Sequence, residues 1–351
     1  MGILKEKPGT IFNTVGLCYA SNISSLQAIE TIVVPPIFIL KGVLLKSKHW
    51  FVFILLGALW SSSFLWIKIG VQEIGPMALV AFRMLFGAVT AVIIGIYQGV
   101  EWPRDWKTWG IFAILGPTSL AIPIFFISWG EQTIDSAVAS ILNATVPLFT
   151  ILLAHFMLTD DKMTAQKTLG LLIGFAGVVV LLSKDLTADA HNSIIGQGAV
   201  ILASLFYAGS AVFARKLTQH VEGTVRGAMP LITSTIFMWI IGPVAEQPFL
   251  FPKLSLTWIS ILWLGILGSG LAVIMLWYLI HEIGPTRATM VTYLFPVGGV
   301  ILGVIFLNEQ LSWQLLVGTI LIVASLAVVN WRIAGKSTKS ATVPRANAAD
   351  D

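Results

Sequence analysis

Charge is scarce in this sequence. Asp, Glu, Lys and Arg make up 11% of its 351 residues, against roughly 25% in a soluble globular domain. So few charges cannot cover the core of a water-soluble globule, which leaves almost no room for a soluble enzyme. Cysteine is scarcer still. Cys18 stands alone, so a disulfide framework, a thiolate zinc site and a Cys-ligated Fe–S cluster are excluded. The histidines (His49, His155, His191, His220 and His281) have no metal-ligand spacing, and neither HExxH nor paired intramembrane aspartates occur. The phosphate-cradling pattern G-x-x-x-x-G-K is missing as well, so ATP does not drive this chain directly. What is abundant is apolar: 56% hydrophobic residues and a mean hydropathy of +0.88. The composition is that of a polytopic membrane protein.

A bilayer core about 30 Å thick takes about 20 apolar residues per helix. Windows at 50–69, 77–98, 109–129, 136–158, 168–183, 195–214, 226–245, 257–280, 285–307 and 313–331 meet or approach that length. They are apolar all round rather than alternating, so helices are expected and a β-barrel is not. Trp50, Trp102, Trp106, Trp109, Trp258, Trp313 and Trp331 cluster near their ends, as interfacial anchors do. With the N-terminus inside, every Lys and Arg falls on the cytoplasmic side except Lys68, Lys184, Lys253 and Arg83, the last within a span. The opposite orientation inverts that bias. The expectation is a multi-pass protein of the cell membrane with both termini cytoplasmic, and this topology accounts for the pI near 9.2 without any nucleic acid. Residues 1–49 contain one apolar stretch, Ile32 to Leu40, interrupted by Pro35 and Pro36 and too short to span. They do not follow the order of a signal peptide and are expected to be a cytoplasmic extension. Residues 332–351 are polar and are expected to be a disordered cytoplasmic tail.

The spans repeat. Ala139 through Asn143 and Thr145 to Pro147 leads by an apolar span to Asp161-Lys162. Ala288 through Thr289, Thr292 and Tyr293 to Pro296 leads likewise to Glu309-Gln310. Trp60 precedes Lys68 by the same spacing as Tyr207 precedes Arg215. The chain thus reads as two five-helix halves, 50–183 and 195–331. Five is odd, so the second half enters the membrane inverted relative to the first, as in many secondary transporters.

The residues Gly57 to Phe64 with Lys68, Pro76 with Phe82-Arg83, Phe213 to Leu217, and the run from Pro296 through Glu309 to Gly318 together resemble the EamA family of the drug/metabolite transporter superfamily. The resemblance covers residues 50–331. It implies an all-α membrane protein of ten transmembrane helices in two inverted repeats, without cofactor, that exports small metabolites such as amino acids. Some relatives in that superfamily carry nucleotide sugars or sugar phosphates. The first half departs from the family pattern at Asp160-Asp161-Lys162, where a Gly-Glu-like pair is usual.

Ionisable groups inside a bilayer cost several kcal/mol and are functional candidates by default. Arg83 is the clearest, with a bidentate fork suited to a carboxylate or phosphate. Asn143 and Tyr293 precede prolines that free a carbonyl one turn back and are candidate cavity residues at mid-membrane depth. Trp60, Tyr207 and Trp277 are candidate aromatic walls, although aromatic residues on helices more often pack than bind. Lys68 reads as an interfacial anchor and His155 as a packed or interfacial histidine. Gly170 with Gly174, and Gly299 with Gly303, read as close helix contacts. No Asp or Glu falls mid-span. That favours facilitated diffusion or exchange, with Glu131 as a candidate lining an outer vestibule. A single span-buried cation suits a neutral, zwitterionic or amphipathic metabolite better than a polyanion. The reading is a secondary transporter working by alternating access, in the direction of efflux. The alternatives are a receptor or scaffold, or a sugar-phosphate or nucleotide-sugar exchanger. Its partners are a small-molecule substrate and the lipid bilayer, with no nucleic acid. A homodimer is compatible with the sequence, but ten helices also suffice to enclose a pathway alone.

Overall fold

In lipid each backbone N–H and C=O must be satisfied within the protein, so an apolar run crosses as a helix. The computed structural model of this chain describes residues 47–158, 163–183, 191–283, 288 and 290–330. The expectations for the N-terminal extension up to residue 46, for Asp160-Asp161-Lys162 and for the tail from residue 332 lie outside these. The first half contains α1 (Ser47–Gly70), α2 (Pro76–Tyr97), α3 (Trp106–Gly130), α4 (Ser136–Met157) and α5 (Ala165–Leu182). The second contains α6 (His191–Leu217), α7 (Gly223–Ala245), α8 (Ser255–Ile283), α9 (Met290–Leu307) and α10 (Trp313–Asn330). Among the described residues α1 to α9 are long and apolar enough to cross a membrane, and α10 is a shorter apolar helix. The helices coincide with the apolar windows but run slightly past them. α1 starts at Ser47 and α3 at Trp106 because Lys48 and Lys107 can keep their charged heads in water while their stems stay in the helix.

Local chemistry fixes the ends. Pro76 opens α2 at the first helical position, where its missing N–H costs nothing. The Asp105 carboxylate accepts the Thr108 N–H at 2.7 Å and caps α3. That bond, with the Thr108 hydroxyl first among its causes, holds the Asp105 carboxyl below its ordinary pKa. α9 stops at Asn308, which takes the left-handed conformation at φ 56°. Buried serines within the helices bond to their own backbone: Ser61 donates to Gly57 O at 2.5 Å and Ser204 to Val200 O at 3.1 Å.

The two halves are inverted repeats, and their irregularities match. α3 widens into a π-helical turn at Pro117–Ala121 and α8 does so at Trp263–Leu271. α4 is interrupted at Ala144 and Thr145, just before Pro147, and α9 opens with a 3₁₀ turn, Met290–Tyr293, before Pro296. The Trp109 indole donates to Pro103 O at 3.0 Å, and the Trp258 indole to Pro252 O at 3.2 Å. Equivalent glycines bring the halves together. A Cβ on Gly116 of α3 would strike Thr233 of α7, and one on Gly265 of α8 would stand 2.6 Å from Phe86 of α2.

With ten helices running in alternate directions, both ends of the described chain come to one face, the terminal face, opposite the distal face. α5 and α10 pack on each other through small residues. A Cβ on Gly177 would lie 2.9 Å from Ile322 and 3.1 Å from Gly318 O. The other helices enclose an interior that includes Leu79, Phe82, Ile141, Leu142, Ile261 and Leu264. Large apolar side chains such as Ile96, Val244, Ile305 and Ile320 point outward, as a lipid-facing surface requires.

Candidate functional site

A cavity of about 290 Å³ lies between the two halves, near the lower end of small-molecule pockets, which run about 300–1,000 Å³. Its walls come from α1 (Trp60, Ser63, Phe64, Ile67), α2 (Arg83), α3 (Leu120, Ile124, Ile127) and α4 (Asn143, Val146). The second half supplies Tyr207 and Ala211 of α6, Leu231 of α7, Gly268, Ser269 and Val273 of α8, and Thr292 and Phe295 of α9. The lining is pseudo-symmetric. Trp60 and its equivalent Tyr207 both line it, and Asn143 corresponds in the repeat to Thr292. Because every contributing helix except α9 supplies a residue from its middle third, the cavity sits near mid-depth.

Among the described residues Arg83 is its only charged lining residue, and it is 6% exposed. Its Nε donates to Ser269 Oγ across the two halves at 3.0 Å. Among the described residues this is the guanidinium's one hydrogen bond, so the paired terminal N–H groups remain uncommitted. Asn143 is 7% exposed, and among the described residues its Oδ1 has no hydrogen-bond donor. A buried acceptor left without a donor costs about 1–3 kcal/mol. The Trp60 indole is fixed by donation to Gly268 O at 3.1 Å, a carbonyl within the α8 π-turn. Its ring meets Phe295 edge-on at 5.7 Å between centroids.

Four of the sequence candidates therefore converge on this cavity: Arg83, Asn143, Trp60 and Tyr207. Two do not. The Tyr293 hydroxyl donates to Leu326 O of α10 at 2.9 Å, and its neighbour Thr292 lines the cavity instead. Trp277 packs on Gly223 and Gly227 and lies 5.0 Å from the Arg226 guanidinium. Ser269 was not singled out from the sequence. His155 accepts the Met163 N–H at 3.0 Å beside the terminal face.

On the distal face, polar contacts between helix ends join the two halves. Glu309, after α9, accepts the Ser136 N–H at 2.7 Å, the Ser136 hydroxyl at 2.8 Å and the Ala137 N–H at 3.0 Å, capping α4. Glu246, after α7, accepts the Met77 and Ala78 N–H groups of α2 at 2.9 and 3.1 Å. Glu73, after α1, accepts from Lys253 and Leu254 ahead of α8 at 2.7 and 3.0 Å. Negative charge at a helix N-terminus is favourable, and in each case it joins opposite halves. Lys68, read from the sequence as an interfacial anchor, is tied to the protein itself. Its ammonium donates to Glu131 O at 2.5 Å and Ile134 O at 2.8 Å in the α3–α4 link.

Glu131 itself, in that link, is fully buried instead of lining an open vestibule, and among the described residues neither carboxylate oxygen has a hydrogen-bond donor. Burial pushes its carboxyl well above the usual range. Lys68 and Arg83 pull against that, and Glu309 adds to it.

The sequence profile of the EamA-like transporter family matches residues 48–183 and again residues 194–331. The uncharacterized transporter YoaV of Bacillus subtilis (strain 168) is 24% identical over 269 residues, covering 75% of this chain and 90% of that protein. A probable terminal-alkyne amino-acid exporter of Streptantibioticus cattleyicolor is 25% identical over 300 residues, covering 85% of this chain and 99% of that one. A crystal structure with 22% identity superposes with a TM-score of 0.61, covering 83% of this chain and 100% of its own. That last likeness shows the fold alone.

Proposed function

The chain belongs to the EamA-like transporter family and is a multi-pass membrane transporter, and from that premise we propose that it moves zwitterionic, amino-acid-like metabolites outward by alternating access. The observation that carries this reading is the composition of the cavity wall. One guanidinium with uncommitted donors, Arg83, and one buried acceptor without a donor, Asn143 Oδ1, are set in an otherwise mostly apolar and aromatic surface. A carboxylate takes the fork of Arg83, an ammonium donates to Asn143, and an aliphatic side chain lies against Trp60, Phe64 and Phe295. A nucleotide sugar or sugar phosphate brings more negative charge than one cation offsets, so the zwitterion is the better match. The name of the Streptantibioticus relative, a probable amino-acid exporter, points the same way.

Orientation follows from the basic residues. The terminal face carries most of the Lys and Arg and is assigned to the cytoplasm by the positive-inside rule. The distal face is then external. With the distal face closed, a substrate enters the mid-depth cavity from the cytoplasm and leaves after the halves rock apart on the other side. The protein works as a transporter, not as an enzyme.

The test is solute counterflow by the purified protein in liposomes, with a panel of radiolabelled L-amino acids. Saturable exchange of at least one member is expected, with loss of that exchange in Arg83→Met. Undiminished exchange of a carboxylate-bearing substrate by Arg83→Met overturns the site.

A further inference from the structure

Glu131 is a buried carboxylate for which the substrate reading has no use. It follows Leu120, Ile124 and Ile127, three cavity-lining residues, on the same helical stripe at spacings of three and four, so it stands at the head of the cavity wall on the distal side. Taking an ionised carboxylate out of water costs several kcal/mol unless a counter-charge and hydrogen bonds replace the water. Among the described residues the hydrogen bonds are missing, and Lys68 and Arg83 act on the carboxylate only at a distance. Lys68, the nearest cation on α1, is held by the Glu131 and Ile134 carbonyls and makes no ion pair with the carboxylate. From α2, Arg83 is engaged with Ser269. The α9–α10 link presents Glu309, itself an anion, and Asp135 stands on the same link as Glu131. From α6, Gly196 packs against the Gly130 turn, and Tyr207 faces Arg83 deeper in the cavity. An environment arranged in this way favours the neutral acid.

We infer that Glu131 is a proton-binding site whose occupancy is linked to closure of the distal face, so that transport is coupled to proton movement. The inference rests on the transport reading above. In the closed state Glu131 is held as the neutral carboxylic acid. Opening the distal face draws Glu309 away from the α4 N-terminus and loosens the Lys68 clasp on the α3–α4 link. Water and the Lys68 ammonium then reach the carboxylate, its O–H proton passes to water, and the anion that remains is paired. Closure reverses these steps and takes up one proton. A conformer that binds a proton more tightly is favoured by protons to the same degree, so a pH difference across the membrane biases the cycle. The second exit for the proton is the cavity, whose Leu120, Ile124 and Ile127 continue the Glu131 stripe. A proton taken up from the distal side on closure leaves there to the cytoplasm as the substrate ammonium enters, so protons move inward against outward-moving substrate.

The experiment compares the wild-type protein with Glu131→Gln and Glu131→Asp in liposomes, using the same amino-acid panel. Counterflow without a pH difference is measured beside accumulation driven by one. Difference infrared spectra of the carboxyl C=O stretch are recorded over a pH titration without substrate. The expected result is accumulation by the wild type and only exchange by Glu131→Gln. Glu131→Asp is expected to retain the drive with a displaced pH midpoint, which keeps the test valid should the Gln variant not fold. In the infrared the wild type shows a titrating buried carboxyl band that Glu131→Gln lacks. Accumulation by Glu131→Gln equal to wild type, or wild-type transport indifferent to the pH difference, overturns the proposal. Should no panel member move, the substrate reading fails separately. The infrared titration then decides: a band absent from Glu131→Gln supports the proton site, and an unchanged spectrum overturns it.

Discussion

Arg83 is tolerated in an apolar interior because Ser269 accepts one of its N–H groups and the cavity leaves room for the rest. Asn143 is the complementary case, an acceptor waiting for a donor. A hydrogen bond to a charged group is worth about 1.5–3 kcal/mol, and every 1.4 kcal/mol is about tenfold in affinity. Asn143→Leu is therefore expected to weaken amino-acid binding about ten- to hundredfold, read as the half-saturation concentration in counterflow. Tyr293→Phe is the contrast. It removes a bond to the α10 backbone, costs about 1 kcal/mol of stability and leaves that concentration unchanged. The sequence pointed to Arg83, Asn143, Trp60 and Tyr207 because polar or aromatic residues stand out within apolar spans. It pointed to Tyr293 instead of Thr292 because the phase of a helix face is not visible where a 3₁₀ turn intervenes. The register of the two prolines, Pro147 and Pro296, held the missing signal, since it sets Thr292 opposite Asn143. The depth of Glu131 had no such local signal. It lies just past the last apolar residues of α3, and its burial comes from Lys68 and Gly196, both distant in sequence.

At the scale of elements, the helices themselves were legible nearly to the residue. Length and apolarity decide them when the solvent is lipid. Their irregular turns were not. The π-turns at Pro117–Ala121 and Trp263–Leu271 depend on close passage of α7 and α2 along Gly116 and Gly265, a tertiary matter. The close helix contacts read from the glycines are present. On α5 and α10 they leave no room for a side chain, since a Cβ on Gly318 would lie 3.2 Å from Gly177 O. Overpacking costs about 1–3 kcal/mol. Gly177→Leu is expected to lower the melting temperature in detergent by several degrees. Because α5 and α10 contribute nothing to the cavity, the half-saturation concentration of the protein that remains folded should not change. A melting temperature equal to wild type would show that the two helices do not need this close approach.

At the scale of the molecule, inversion follows from counting to five, and the sequence carried it in the recurrence of Ala139–Pro147 at Ala288–Pro296. The structure adds asymmetry. Arg83 has Pro230 as its counterpart in the repeat and Glu131 has Ile280, so the two chemical groups of the account both belong to the first half. The second half supplies Ser269 and the carboxylates Glu246 and Glu309 that close the distal face. On the proposed reading, one half carries the charge for substrate and proton, and the other holds it in place. The claim common to all scales is that a single cavity is reached alternately from both faces. The direct measurement uses Ala211→Cys, placed on the cavity wall in a Cys18→Ser background, and labels it with a membrane-impermeant maleimide from each side of sealed vesicles. The account predicts labelling from either side, with a rate that an exchanged amino acid changes in both cases. Labelling confined to one side, whatever solute or pH difference is applied, would contradict it.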